Sequence, residues 1–423
     1  MSPRVAILGG NRVPFGRAYK AYRNVGNQDL LTAALDGLAA RFGLAGERLD
    51  EVAGGAVIKS SRDFNLTRES VIGSALDPAT PAVDVQRACA TSLEAATLVG
   101  NKIALGQIDV GVAAGSDSVS GAPLEASPGM RRAAHRLGAA RSAGDRARAI
   151  AGLRPRDLLP AAPGGGEPRT GLSMGEHQAL SNERWGITRE EQDAIALRSH
   201  ERLARAWDEG FFSDLATSFQ GLSRDENLRE TSMEKLARLK PAFGGENGTM
   251  TAGNSTPMTD GAASVLLASD EWAEKRGLRV LAHVVDVQTA AVDFVRGADL
   301  LSAPIFALPR LLERNDVSLA DIDLVEIHEA FAGTVAMTTK AWASDEFCRE
   351  RLGLDGALGP IEEERLNVHG SSIAAGHPFA ATGARILPTL AKALYQRGPG
   401  ALGLISVCAA GGQGAVALLR SAA

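Results

Sequence analysis

Short apolar runs alternate with amphipathic stretches along nearly the whole chain. Residues 5–9 are apolar without interruption, which predicts a buried strand closed by a Gly-Gly turn. Residues 27–42 place Leu30, Leu31, Ala34, Leu35, Leu38 and Phe42 on one face, the spacing of an amphipathic helix. A second strand is predicted within 51–59, a short helix over 69–76, and a strand approaching Val85. The chain then runs Asp84-Val-Gln-Arg-Ala-Cys89-Ala-Thr-Ser-Leu-Glu into a helical pattern of Leu93, Ala96, Val99 and Ile103 that ends near Gly106. A strand follows at 110–114, closed by the small-residue loop 115–121.

The pattern breaks at residue 122. Residues 122–170 carry eight arginines between Arg131 and Arg156, with few acids, and predict an excursion from the core with one basic helical piece over 130–152. Such a face is either solvated or presented to a partner, an anionic surface or a phosphate-bearing ligand. Residues 158–167 are rich in Pro and Gly. A helix-rich section begins at Gly171. Within it Thr188 and Glu191 form a capping box for a helix reaching about Trp207. Residues 213–220 read as a strand or a return to the core, 233–239 as a short helix, and 245–255 as a glycine- and hydroxyl-rich loop. Strands at 260–267 and 280–287 flank a helix at 269–277. The last third repeats the first in outline: helix 303–314, strand 322–327, helix from about 330, loop 366–377, helix 380–395, strand 402–407 and strand 415–419. This order implies a duplicated layered α/β architecture, although the halves share no obvious sequence repeat.

Composition agrees with close-packed layers. Apolar residues make up 45% while aromatics reach only 4%, so the core is built from Ala, Val, Leu and Gly. A net charge of -5 gives no footprint for nucleic acid. Three cysteines cannot make a disulfide framework, and point to a reducing, cytoplasmic setting. No signal peptide and no apolar run of membrane-spanning length is evident.

Four reactive side chains fall in comparable places. Cys89 and His328 each follow a predicted strand, Cys408 ends one, and His377 lies in Gly376-His-Pro ahead of a helix. Ligands in layered α/β folds gather at such strand ends. No two of the four are close in sequence, so metal-ligand spacing is absent and no metal is expected. A cysteine near a helix N-terminus favours the thiolate. One thiol can hold an acyl group while a second moves a proton, and glycine loops can aim amides at an oxyanion. That chemistry fits making or breaking a carbon–carbon bond next to a thioester.

Asn367-Val-His-Gly-Ser-Ser-Ile-Ala-Ala-Gly-His-Pro-Phe-Ala-Ala-Thr-Gly-Ala-Arg385, Cys408-Ala-Ala-Gly-Gly-Gln-Gly414, Arg87-Ala-Cys-Ala-Thr-Ser92 and the stretch from Thr251 to Ala263 resemble, in order, motifs of the thiolase family. The resemblance covers nearly the whole chain. It implies the thiolase fold: duplicated βαβαβαββ halves in five layers, α-β-α-β-α. Residues 1–121 and 251–285 would form the N-terminal half, 122–250 a loop domain, and 286–423 the C-terminal half. Cys89 would be acylated, His377 would activate it, and Cys408 would exchange the proton with acetyl-CoA. One oxyanion hole would use His377 with the group at His328, the other the amides of Cys89 and Ala410, where many relatives carry glycine.

The substrates implied are a 3-oxoacyl-CoA and free CoA, with coenzyme A as co-substrate and no permanently bound cofactor. Many thiolases have Asn where this chain has His328 in His-Glu-Ala-Phe331. Histidine there resembles the branch containing beta subunits of fatty-acid oxidation complexes, which pair with an alpha subunit carrying hydratase and dehydrogenase activities. That favours degradative thiolysis over acetoacetyl-CoA synthesis. A condensing enzyme would normally use two histidines and no cysteine at the last site, which Cys408 argues against. The family further implies a homodimer or dimer of dimers, Met174 lining the acyl pocket, and Arg224, Ser255 and Thr256 near CoA.

Overall fold

The structure, a computed structural model, describes residues 4–161 and 164–422. Positions 162–163 of the Pro- and Gly-rich stretch lie outside the described residues. The N-terminal half runs β1 (Val5–Arg12), α1 (Asn27–Phe42), β2 (Glu51–Gly54), α2 (Leu66–Gly73), β3 (Ala82–Asp84), α3 (Thr91–Ala104) and β4 (Val110–Asp117). An excursion carries α4 (Pro128–Ala139), α5 (Ala143–Ala151), α6 (Met174–Arg184) and α7 (Arg189–Asp208) before β5 (Thr259–Ser269) returns to the sheet. The C-terminal half comprises β6 (Ala282–Ala291), α8 (Ala303–Asn315), β7 (Leu324–Ile327), α9 (Ala332–Ala343), α10 (Thr382–Arg397), β8 (Leu402–Ala409) and β9 (Gln413–Ser421).

Strand pairing displays the duplication. From the junction outward, β1, β5, β4 and β2 pair antiparallel, antiparallel and parallel. In the other half β6, β9, β8 and β7 repeat that sequence of senses. The β2–β3 parallel pairing has its counterpart in a single parallel bridge, Val325 to Leu366. The half-sheets join where Val5, Ala6 and Ile7 of β1 pair antiparallel with Val284, His283 and Ala282 of β6.

Helices complete the layers. Helix α1 buries Leu30, Leu31, Ala34, Leu35 and Leu38, and ends where Gly43 turns left-handed at φ 65°. With α2 it covers the outer face of the N-terminal half-sheet. Helices α8 and α9 cover the outer face of the other half. Between the two half-sheets lie α3 and α10. These central helices approach backbone to backbone: a Cβ on Gly383 would sit 2.4 Å from the Leu93 amide nitrogen, and the Ala384 amide donates to Ser92 Oγ at 2.8 Å. Their N-termini therefore lie side by side, and Cys89 and His377 precede those two N-termini.

Two expectations need correction, and one open alternative is decided. Gly9 and Gly10 do not end a strand, because β1 runs through them to Arg12. Gly9 sits at a register shift with φ 147°, where a Cβ would meet the Phe42 ring at 2.9 Å, and a Cβ on Gly10 would meet Pro388 at 2.7 Å. The basic piece at 130–152 is two helices, the second starting where Ser142 accepts from the Asp145 amide. Its arginines are exposed. Residues 213–220 are a return to the core, touching β1 through one bridge between Arg12 and Ala216.

Candidate active site

The turn before α3 is held in an uncommon backbone shape. Ala88 has φ 43°, left-handed for a residue with a Cβ, at a cost of about 1–2 kcal/mol. Buried Thr91 holds it there: its hydroxyl donates to the Ala88 carbonyl at 2.7 Å and accepts from the Arg87 amide at 2.9 Å. Arg87 pairs with Glu94 at 2.8 Å and reaches Gln413 Oε1 at 3.2 Å, tying this turn to the loop after Cys408. The Cys89 side chain is also approached by the backbone amide of Ala410.

The local pull toward a thiolate expected at the helix N-terminus is outweighed by removal from water. Removal from water pushes the Cys89 thiol up to about 12. The amides of Ala410 and Cys89 pull it down, while the carboxylates of Asp117 and Glu167 add to the rise. Cys408 lies within β8, opposite Gly414 of β9, and is 3% exposed. Burial raises its thiol too, and charge on Cys89 adds to the rise. Iodoacetamide alkylation of Cys89 should therefore accelerate about tenfold per pH unit from pH 6 to 9 with no plateau. A plateau below pH 8 would reveal a preformed thiolate.

The two histidine rings lie against each other, centroids 4.1 Å apart and planes tilted by 49°. His377 is held by its amide donating to Thr259 Oγ1 at 2.8 Å and by Nδ1 against Thr382 Oγ1 at 2.5 Å. His328 is held by its amide donating to Ser406 O at 2.8 Å and by Nδ1 against Ser372 Oγ at 2.7 Å. Both Nε2 atoms are buried and have no partner among the described residues. Burial lowers His377 to about 3, and burial with the neighbouring His377 and Arg385 charges holds His328 well below the usual histidine range. Both rings are neutral at pH 7, each free to present one nitrogen to a ligand.

Several residues left unassigned by sequence reading frame this site. Asp117 accepts from the amides of Val57, Ile58 and Ala380, and burial raises it to about 7. Glu167, from the excursion, accepts from the Gly411 amide at 2.6 Å. Arg385 is 3% exposed and donates to Ser371 and Ser372, with Glu326 3.7 Å away. A charged residue inside an Ala- and Gly-rich motif was the available signal for Arg385. Its standing as the one acid of the Pro- and Gly-rich stretch 158–167 was the signal for Glu167. Asn367, left-handed at φ 47°, exchanges hydrogen bonds with both backbone groups of Ile327 and donates to Glu329, fixing the turn after β7.

Ser255 forms a backbone bridge with Phe331, and its buried Oγ has no partner among the described residues. Thr256 donates through both amide and hydroxyl to Ala330 O, at 3.2 and 3.0 Å. Met174 opens α6 and packs on the C-terminal core. Arg224 lies apart from the thiols on a cavity of about 620 Å³ that also takes in His200, Leu228, Arg229 and Lys235, and it pairs with Asp208 at 2.9 Å. Cys348 is fully buried in the outer layer, its thiol 3.4 Å from Ala341 O. Among the described residues no group of three or more His, Cys, Asp or Glu side chains is placed to hold a metal ion. No described helix is long and apolar enough to cross a membrane.

Two thiols and two histidines at matching ends of duplicated halves define a class of acyl-transfer enzyme. The thiolase N-terminal domain pattern matches residues 5–271 and the thiolase C-terminal domain pattern residues 278–421. The chain belongs to the thiolase family, whose members are CoA-dependent acyltransferases. It is 42% identical to a 3-ketoacyl-CoA thiolase of Pectobacterium atrosepticum over 99% of this chain and 96% of that one. The acetyl-CoA acetyltransferase of Bacillus anthracis superposes with a TM-score of 0.80 at 31% identity, covering 99% of both chains. The Acat5 thiolase of Ascaris suum, solved with coenzyme A, gives 0.79 at 26% identity over 99% of this chain and 100% of that one.

Proposed function

We propose that this chain is a degradative 3-ketoacyl-CoA thiolase, which cleaves a 3-oxoacyl-CoA with free CoA into acetyl-CoA and an acyl-CoA two carbons shorter. The observation that carries the reading is a pair of adjacent histidines whose buried Nε2 atoms have no partner among the described residues, in a fold where Cys89 and His377 precede the adjoining N-termini of α3 and α10 and charge on Cys89 acts on Cys408. Cys89 gives its proton to His377 Nε2 as its sulfur attacks C3. The oxygen on C3 becomes an oxyanion between the amides of Cys89 and Ala410. The C2–C3 bond breaks, and its electron pair passes to the acetyl-CoA enolate. That enolate's oxygen meets the protonated His377 and His328, while Cys408 delivers a proton to its carbon. CoA thiol then attacks the acyl-Cys89, giving its proton to the Cys408 thiolate. Cys89 leaves and recovers its proton from His377, which returns every group to its starting state.

We place CoA along the cavity bearing Arg224, beneath a loop domain formed by residues 122–250, with Ser255 and Thr256 toward the pantetheine and Met174 toward the acyl chain. The assembly we expect is a cytoplasmic homodimer or dimer of dimers. His328 aligns it with thiolases that partner an alpha subunit carrying hydratase and dehydrogenase activities. The structural likeness to an acetyl-CoA acetyltransferase supports a second reading, metabolism of acetoacetyl-CoA. Thiolysis rates from C4 to C16 decide between them. The first reading expects rates rising toward medium or long chains; activity confined to C4 selects the second.

A further inference from the structure

His328 stands in this site with an Nε2 that has no partner among the described residues, and its usefulness depends on which nitrogen bears the proton. A neutral imidazole with the proton on Nδ1 offers a lone pair at Nε2. One with the proton on Nε2 offers a donor. Only the donor can bind an oxyanion. The choice is made at the other nitrogen, where Nδ1 meets Ser372 Oγ at 2.7 Å.

Ser372 Oγ also receives an N–H from Arg385 Nη2 at 3.1 Å. A guanidinium only donates, so the serine oxygen is an acceptor in that contact. The hydroxyl proton must then go elsewhere, and among the described residues His328 Nδ1 is its one acceptor within reach. Ser371 beside it shows the same logic: its Oγ accepts from Arg385 at 3.1 Å and passes its own proton to Glu326 Oε1 at 2.8 Å. Were Nδ1 protonated instead, Ser372 Oγ would receive two donors and its own proton would be stranded in a buried site. His377 has no such constraint. Its Nδ1 faces Thr382 Oγ1, to which no cation donates among the described residues, so that contact leaves either nitrogen of His377 able to carry the proton.

We infer that Arg385 and Ser372 are positioning residues which lock His328 with its proton on Nε2, as a hydrogen-bond donor beside His377. The inference rests on the oxyanion role proposed for His328, but the tautomer itself can be read without turnover. Selective ¹⁵N labelling of the histidines in the full-length protein should show His328 with a bare, hydrogen-bonded Nδ1 and a protonated Nε2. Ser372→Ala should lower kcat about tenfold, a fraction of what losing an oxyanion donor outright costs, with KM changed less than about twofold. Ser372→Thr, which keeps the hydroxyl, should recover most of that loss. A role in packing alone predicts the reverse order, since threonine adds a methyl group to a buried position. A His328 spectrum with the proton on Nδ1 overturns the inference whatever the rates. So does an unchanged kcat in Ser372→Ala, or a threonine variant no better than alanine. If wild-type protein carries the expected tautomer and yet cleaves no 3-oxoacyl-CoA, the proposed function fails and the tautomer lock stands.

Discussion

Cys89→Ala should fold normally, form no acyl-enzyme and lose at least about 10⁴-fold in kcat, since removing the nucleophile of a covalent mechanism leaves only binding and oxyanion stabilisation. Folding should survive because the turn is held by groups other than the sulfur. The strained Ala88, the Thr91 hydroxyl and the Arg87–Glu94 pair are all intact in the variant. Intact-mass measurement after incubation with an acyl-CoA and no free CoA checks it directly. Wild-type chain should gain one acyl group, and Cys89→Ala none. The other thiols are poor substitutes. Cys348 is sealed in the outer layer against the carbonyls of Ala341 and Trp342. Cys408 is 3% exposed within a strand. A variant that still takes up one acyl group would move the nucleophile to one of them.

Much of this site is written locally. The helix over residues 27–42 was legible because one face repeats leucine and alanine at helical spacing, and its observed bounds, Asn27–Phe42, coincide with the pattern. The Thr188–Glu191 capping box was legible because both partners of the hydrogen bonds lie within one turn. The two cysteines and two histidines stood out because each lies at the end of a predicted strand or just ahead of a predicted helix. Relations across the chain were not legible. Gly9 and Gly10 look like a turn until Phe42 and Pro388 arrive from distant segments and occupy the space a side chain would need. Glu167 meets Gly411 across 244 positions. The direction of the Cys89 shift depends on how deeply the folded protein removes the thiol from water, a tertiary quantity that outweighs the local helix terminus. Local amides do lower the thiol, as the turn's geometry implied; they are too few to win.

Cys408→Ala separates the two halves of the proposed cycle, because the two leaving groups differ greatly in basicity. Breaking C2–C3 releases a carbanion equivalent, which needs a proton delivered as it forms. Transferring an acyl group from a simple acyl-CoA to Cys89 releases only a thiolate, whose conjugate acid titrates near 8.5 in water. Loss of the acid should therefore lower 3-oxoacyl-CoA thiolysis by about 10³-fold, within the range expected for positioned proton transfer. Exchange of the acetyl-CoA methyl protons with deuterated water should fall as far. Acylation of Cys89 by a saturated acyl-CoA should persist within about tenfold of wild type. The substitution leaves a small buried gap opposite Gly414, and the retained acylation doubles as proof that the site is still assembled. Equal loss in both half-reactions would show Cys408 to be a packing residue, while undiminished methyl exchange would hand the proton to another group. Of the charged neighbours, Asp117 has the fitting acidity: burial holds it near 7, but its oxygens are already committed to the amides of Val57, Ile58 and Ala380. The Cys408 thiol is met by its own backbone amide alone among the described residues. It is buried beside Cys89 and kept protonated at neutral pH, the state in which it can give the enolate a proton.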